Sequence, residues 1–212
     1  MVKRSLVLSW LSFIFFFYSC GEKNSNTPQD ESSNKSDLEN FADKMEDASD
    51  NLSEGKKVNP VDFRDLKALL PETIADLKRS NLEGEKAAAM GMNISHANAD
   101  YSDADHNVSI DLKITDLGSV SGLSALAAYG WYMVDIDKEN DTGYEKTITY
   151  KGYKGYEKYD NDGKYGELSV LVAKRFVIEA NGNNILMDQL KAAVDMIDLI
   201  KLESWKDFGI EK

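Results

Sequence analysis

The residues most able to do metal or acid–base chemistry are two histidines, His96 and His106, and one cysteine, Cys20. Such chemistry needs side chains that converge. His96 and His106 fall on the arms of what reads as a hairpin turning near residue 104, with His106 beside the tip. His96 lies about eight residues back along an arm that rises ~3.3 Å per residue, so the two are expected apart. No Cys/His set has the spacing of a zinc site, and a single cysteine cannot close an intramolecular disulfide. Clustered carboxylates in Asp100-Tyr101-Ser102-Asp103-Ala104-Asp105 invite a calcium reading, since hard cations prefer oxygen ligands. The loop template fails: after Asp103-x-Asp105-x-Asn107 it requires glycine where Val108 stands, and a bidentate glutamate where Ile114 stands. Asp135–Asp141 and Asp160-Asn161-Asp162-Gly163 are also acidic, but turns favour Asp and Asn for backbone reasons alone. Turns are therefore expected and no metal is, with the Asp135–Asp141 loop the first place to look for a cation.

Tyr150, Tyr153, Tyr156 and Tyr159 recur at every third residue, interleaved with Lys151, Lys154 and Lys158 and preceded by Lys146. One reading is a binding face for a peptide or glycan, because tyrosine supplies amphipathic contact area at low entropy cost. The other is ordinary sheet tyrosine, with the alternation disturbed around Gly152 and Gly155. There is no Gly-x-Ser-x-Gly elbow, phosphate loop, dinucleotide fingerprint or zinc-protease helix. Met90-Gly91-Met92 reads as strand packing. No catalytic residue, cofactor or enzymatic activity is expected from these patterns.

The 212 residues include 37 acidic and 25 basic side chains, a net charge of −12. That balance argues against nucleic-acid binding, which needs cations to displace phosphate counterions. It also argues against a basic protein held on anionic lipid heads. Lys3 and Arg4 precede an uncharged run from Leu6 to Tyr18. This run fits a signal-peptide core and is too short to span a bilayer, which takes about 20 residues.

The run ends in Phe17-Tyr18-Ser19-Cys20-Gly21, which resembles the lipobox of bacterial lipoproteins, with Tyr18 where a small residue is usual and Phe17 in place of leucine. The resemblance implies cleavage between Ser19 and Cys20 and acyl chains, palmitate among them, on Cys20. Each buried methylene contributes roughly 0.8 kcal/mol, so more than one chain holds a domain stably at a bilayer. An ordinary secretory signal and an uncleaved anchor are the alternatives. Residues 1–19 carry only the charges of Lys3 and Arg4, so the processed chain would carry −14 instead of −12.

Residues 20–57 read as an acidic, flexible linker with too little apolar surface to fold, spanning roughly 33 Å root-mean-square. Within it Leu38, Phe41, Met45, Ala48 and Leu52 form one helical stripe near 38–52. That stripe fits a partner-binding helix, or a marginal one packed on the domain. The Gln29-Asp30-Glu31 patch fits a surface-export signal or plain linker.

Residues 58–212 are sized for one cored domain. Pro60 opens a helix carrying Phe63, Leu66, Leu69 and Leu70, stopped by Pro71, and a second short turn follows through Ile74 and Leu77. Strands are expected over 87–101, with a bulge, and over 106–115, where Val108, Ile110, Leu112 and Ile114 share a face. The small-residue run 118–130 reads as a helix. Four strands follow, near 143–150, 153–159, 166–173 and 175–180, with Asn161-Asp162-Gly163 as a hairpin turn. Leu186, Leu190, Ala193, Val194, Ile197 and Ile200 then mark one amphipathic helix. The expected class is α+β, a mainly antiparallel sheet of about six strands with helices packed on one face, in the order α-ββ-α-ββββ-α.

The stretches LLPETIADLKR (69–79), KITDLG (113–118), GYEKT (143–147) and AKRFVIEANG (173–182) are similar to a family of uncharacterised bacterial envelope proteins and lipoproteins, and the element order resembles the PsbP/Mog1-like fold. The resemblance implies a membrane-anchored lipoprotein of the bacterial cell envelope, held through Cys20 at the outer membrane and facing the periplasm or the surface. The likeness carries no activity; the anchor, the linker and the missing catalytic constellation are what point to a non-catalytic domain that binds or scaffolds an envelope protein or glycan. A carboxylate- or metal-dependent envelope hydrolase and a structural or stress-related coat lipoprotein are the alternatives.

Overall fold

Alternation decides the middle of the domain. In the computed structural model, which describes residues 58–89, 92–118 and 129–210, Ile110, Leu112 and Ile114 turn one way from a strand whose neighbours bury Ala97, Ala99, Phe176, Ile178 and Ala180 on the same face. Helix α1 (Phe63–Lys67) leads into β1 (Thr73–Ile74), β2 (Leu77–Ala89), β3 (Met92–Ser102) and β4 (Ser109–Asp116). A 3-10 turn at Gly130–Tyr132 precedes β5 (Asp137–Asn140), β6 (Gly143–Tyr150), β7 (Tyr153–Asp160), β8 (Tyr165–Val172) and β9 (Phe176–Asn183). Helices α2 (Met187–Asp195) and α3 (Leu199–Ser204) follow. The strands form one antiparallel sheet in the order β1-β2-β3-β4-β9-β8-β7-β6-β5. Two meanders thus meet at β4 and β9 in its centre.

The expected α+β layout of about six strands under packed helices is overturned. The sheet has nine strands, and the three described helices are short, at 5, 9 and 6 residues. Strand β2 was hidden because Leu77 is its one buried side chain among those described, so it carries almost no hydrophobic period. Pairing with β3 from Lys78↔Ser102 to Ala89↔Met92 makes it a strand. The apolar alternation that suggested a bulge within 87–101 marks the reversal from β2 into β3, and the register irregularity lies between Arg79 and Asn81. Ile74 and Leu77 flank a tight strand–strand turn, with Ala75 at φ 49°, in place of the expected helical turn. Strand β5 occupies what reads as an acidic loop.

The terminal helix breaks after Met196, because Asp198 Oδ1 accepts the Lys201 amide at 2.8 Å and starts α3 as its cap. Helix α2 buries Met187, Leu190, Ala193 and Val194. It comes close to the sheet at two glycines paired across β8 and β9, Gly166 and Gly182: a Cβ on either would lie 2.6 or 3.0 Å from Leu190 side-chain carbons. A smaller cluster on the reverse face packs Leu117, Trp131, Leu171 and Val177 with Tyr129 and Tyr156. Ser19, Cys20, the linker with its 38–52 stripe, and most of the helix expected over 118–130 lie outside the described residues.

Candidate functional site

The tyrosine series does not form one face. Strand geometry sends Tyr153 and Tyr159 to the helix side of the sheet and Tyr156 to the reverse, since neighbouring side chains alternate. On the helix side the phenols rivet β6 and β7 to the C-terminal segment. Tyr150 donates to the Lys191 carbonyl at 3.0 Å and to Asp195, Tyr159 donates to the Ile185 carbonyl at 2.8 Å, and Tyr153 donates to Glu203 at 3.3 Å. Burial and then the Asp195 carboxylate hold the Tyr150 hydroxyl well above its ordinary range. Tyr156 stacks on Trp131 at 6.3 Å between centroids and donates to Glu145. Lys151 pairs with Asp195 at 2.7 Å and Lys154 with Asp135 at 3.1 Å. These six residues spend their polar groups within the domain.

The acidic motifs likewise serve the backbone. Asp103 Oδ1 accepts the amides of Asn107 and Val108, and Asp160 Oδ1 those of Asp162 and Gly163. His106 sits in the β3–β4 turn at φ 56° with Nδ1 3.0 Å from Ser102 Oγ, while His96 stands along β3 opposite Thr115. Among the described residues no three His, Cys, Asp or Glu side chains converge as ligands for an ion.

Two charged arrangements escaped the sequence reading. The first is a buried clamp. Arg175 reaches Asp116 with Nε and Nη2, each bond 2.8 Å, while its Nη1 donates to the carbonyls of Trp205, Lys206 and Phe208. Asp116 also accepts the amides of Val61 and Gly118, so one ion pair ties both ends of the described chain to the sheet centre. Asp116 and Arg175 lie within the KITDLG and AKRFVIEANG stretches, but nothing local in either signals their pairing. The second is Glu157, 2% exposed and bridged by Lys146 and Lys191, each at 3.0 Å.

The reverse face of the sheet is polar across its middle. A cross-strand row runs from Asp100 through Asp111, Asn181, Glu167 and Lys158 to Glu145. Burial, together with the adjacent Asp100 carboxyl, raises Asp111 above the usual carboxylate range, against an opposing bond from Asn98. Burial also raises Glu179, one row along.

An apolar concave site lies at one end of the sheet. Ile74 and Leu77 beside the β1–β2 turn, Val108 just before β4 and Ile110 within it, Ile185, Ala192 on α2 and Met196 at its C-terminal cap line an apolar cleft of about 290 Å³. Asp76, Asp103 and Gln189 supply its polar atoms. Its lip includes Ala75 in the left-handed region, a conformation that costs an alanine ~1–2 kcal/mol. Met196 is 48% exposed at the mouth. An apolar pocket with a few convergent polar groups is the usual form of a small-ligand site. The sequence signal for it is faint: the exposed helical positions Gln189, Ala192 and Met196 at spacings of three and four.

Compared with models of known protein families, with curated proteins and with solved structures, the chain finds no match.

Proposed function

We propose that this chain is a lipid-anchored binding protein of the bacterial cell envelope. Cys20 carries the acyl chains, residues 20–57 form the tether, and the β domain holds its ligand non-catalytically in the cleft between the β1–β2 turn and α2. The anchor rests on the signal-like residues 1–19 and the Ser19-Cys20 junction. The binding role rests on one observation: an apolar concavity whose mouth leaves Met196 half exposed, where burial of both would be favourable at roughly 25 cal/mol per Å².

Two measurements test it. Cells fed an alkyne fatty acid are expected to label the wild-type chain and not Cys20→Ala; equal labelling removes the anchor. Nile red is expected to brighten on the full-length protein and to lose that response in Ala192→Trp, which fills the cleft; an unchanged response in a folded variant removes the cleft as the site.

A second reading, a carboxylate-dependent envelope hydrolase, is favoured by the adjacent Asp100 and Asp111 carboxyls, of which Asp111 is held protonated to higher pH. Its test is hydrolysis of peptide and glycoside substrates by wild type and Asp111→Asn, where equal rates eliminate the pair.

A further inference from the structure

We infer that the cleft takes a polypeptide segment presenting a large apolar side chain beside a lysine or arginine; this rests on the cleft being the ligand site proposed above. The floor, from Ile74, Leu77, Val108 and Ile110, is hydrocarbon, and at about 290 Å³ it lies just below the ~300–1,000 Å³ of pockets for drug-sized ligands. That is room for one or two side chains. Charge at the rim has a single sign. Lys78 pairs with Ser102, so Asp76 and Asp103 follow at the same end of neighbouring strands, and both line the cleft.

Among the described residues no cation lines the cleft to neutralise them. The adjacent Arg79 guanidinium is taken by the carbonyls of Leu70 and Pro71, and alternation along β2 puts Lys78 on the opposite face of the sheet. Asp76 has no hydrogen-bond or ion-pair partner among the described residues. Asp103 commits Oδ1 to the turn amides, leaving Oδ2 to the mouth. With a net charge of −12 behind them, these carboxylates attract a cationic ligand and repel an anionic one. A polypeptide suits the site because β1, at the lip, ends the sheet and has no strand on its outer side among the described residues. An extended segment can therefore lie along it while its side chain enters the cleft.

The test is fluorescence anisotropy with the full-length protein and three labelled pentapeptides: Lys-Phe-Lys-Leu-Lys, Glu-Phe-Glu-Leu-Glu and Lys-Ser-Lys-Ser-Lys. Only the first is expected to bind well. Affinity should fall about tenfold or more in Ala192→Trp, and about three- to tenfold in Asp76→Asn or Met196→Lys, whose sites are exposed enough to leave the fold intact. Equal binding of the acidic apolar peptide, still lost in Ala192→Trp, overturns the charge preference and leaves the cleft as a binding site. Equal binding of the serine peptide, or binding indifferent to Ala192→Trp and Met196→Lys, overturns both, as does failure of all three peptides together with an unchanged Nile red response.

Discussion

Arg175→Met should be among the most damaging single changes to this domain, and its cost can be worked from the bonds it removes. The side chain is 3% exposed and its partner Asp116 is fully buried. Methionine nearly conserves volume, so the cavity contribution is small. Asp116 then stays in the core as a carboxylate supported only by the Val61 and Gly118 amides, and the carbonyls of Trp205, Lys206 and Phe208 lose their shared donor. Removing one partner of a buried pair costs about 3–5 kcal/mol. The three carbonyls lie near the chain's outer turns and can recover water, so we take about 4 kcal/mol as the whole effect. With a urea dependence of about 2 kcal/mol per molar, the unfolding midpoint falls by roughly 2 M. The double variant Asp116→Asn/Arg175→Met removes the uncompensated charge and should regain at least half of the loss. Amide exchange adds a local readout: the Val61 N–H, 2.8 Å from Asp116 Oδ2, should lose protection in Asp116→Asn. A single-variant cost below about 1 kcal/mol, or a double variant whose cost equals the sum of the singles, would refute the clamp as the fastening of the chain ends.

Three further outcomes are expected. Burial alone would raise Glu157, but the bonds from Lys146 and Lys191 outweigh it and hold the carboxyl below its ordinary value of 4.5. Its contribution is therefore present above that pH and lost as pH falls through the depressed folded value. The stability gap between wild type and Glu157→Gln, about 1–3 kcal/mol near neutrality, should close in acid, as followed by urea titration at several pH values. Tyr150→Phe and Tyr159→Phe each remove bonds from the sheet to the C-terminal segment and should lower stability by about 1 kcal/mol in thermal melts. The β8–β9 turn places Ala173 and Lys174 at φ 54° and 53°, so Ala173→Asn with Lys174→Gly should stabilise the domain by about 1 kcal/mol per position, read as a higher melting temperature.

Strands β6 and β7 were legible over 143–150 and 153–159 because strand signals are local; Lys151 and Gly152, at φ 48° and 88°, make the turn between them. Strands β8 and β9 were legible for the same reason. Strand β2 was not, since its backbone bonds come from β3 and its side chains stay wet. The tyrosine spacing of three left two readings open, and a strand, which repeats every two residues, splits such a series between its faces.

Charge balance, the apolar run before Ser19-Cys20, the turn-forming acids and the central strands are properties of short windows, and residue order alone determined them. Which residues meet across the sheet was decided only when the two meanders joined at β4 and β9. That junction set Asp116 against Arg175, 59 positions apart, gathered the β1–β2 turn and α2 around one cleft, and turned three tyrosines toward the helices. The physical reason is that partners so distant in sequence are brought together by backbone pairing and burial of the shared core, neither of which leaves a period in the local sequence.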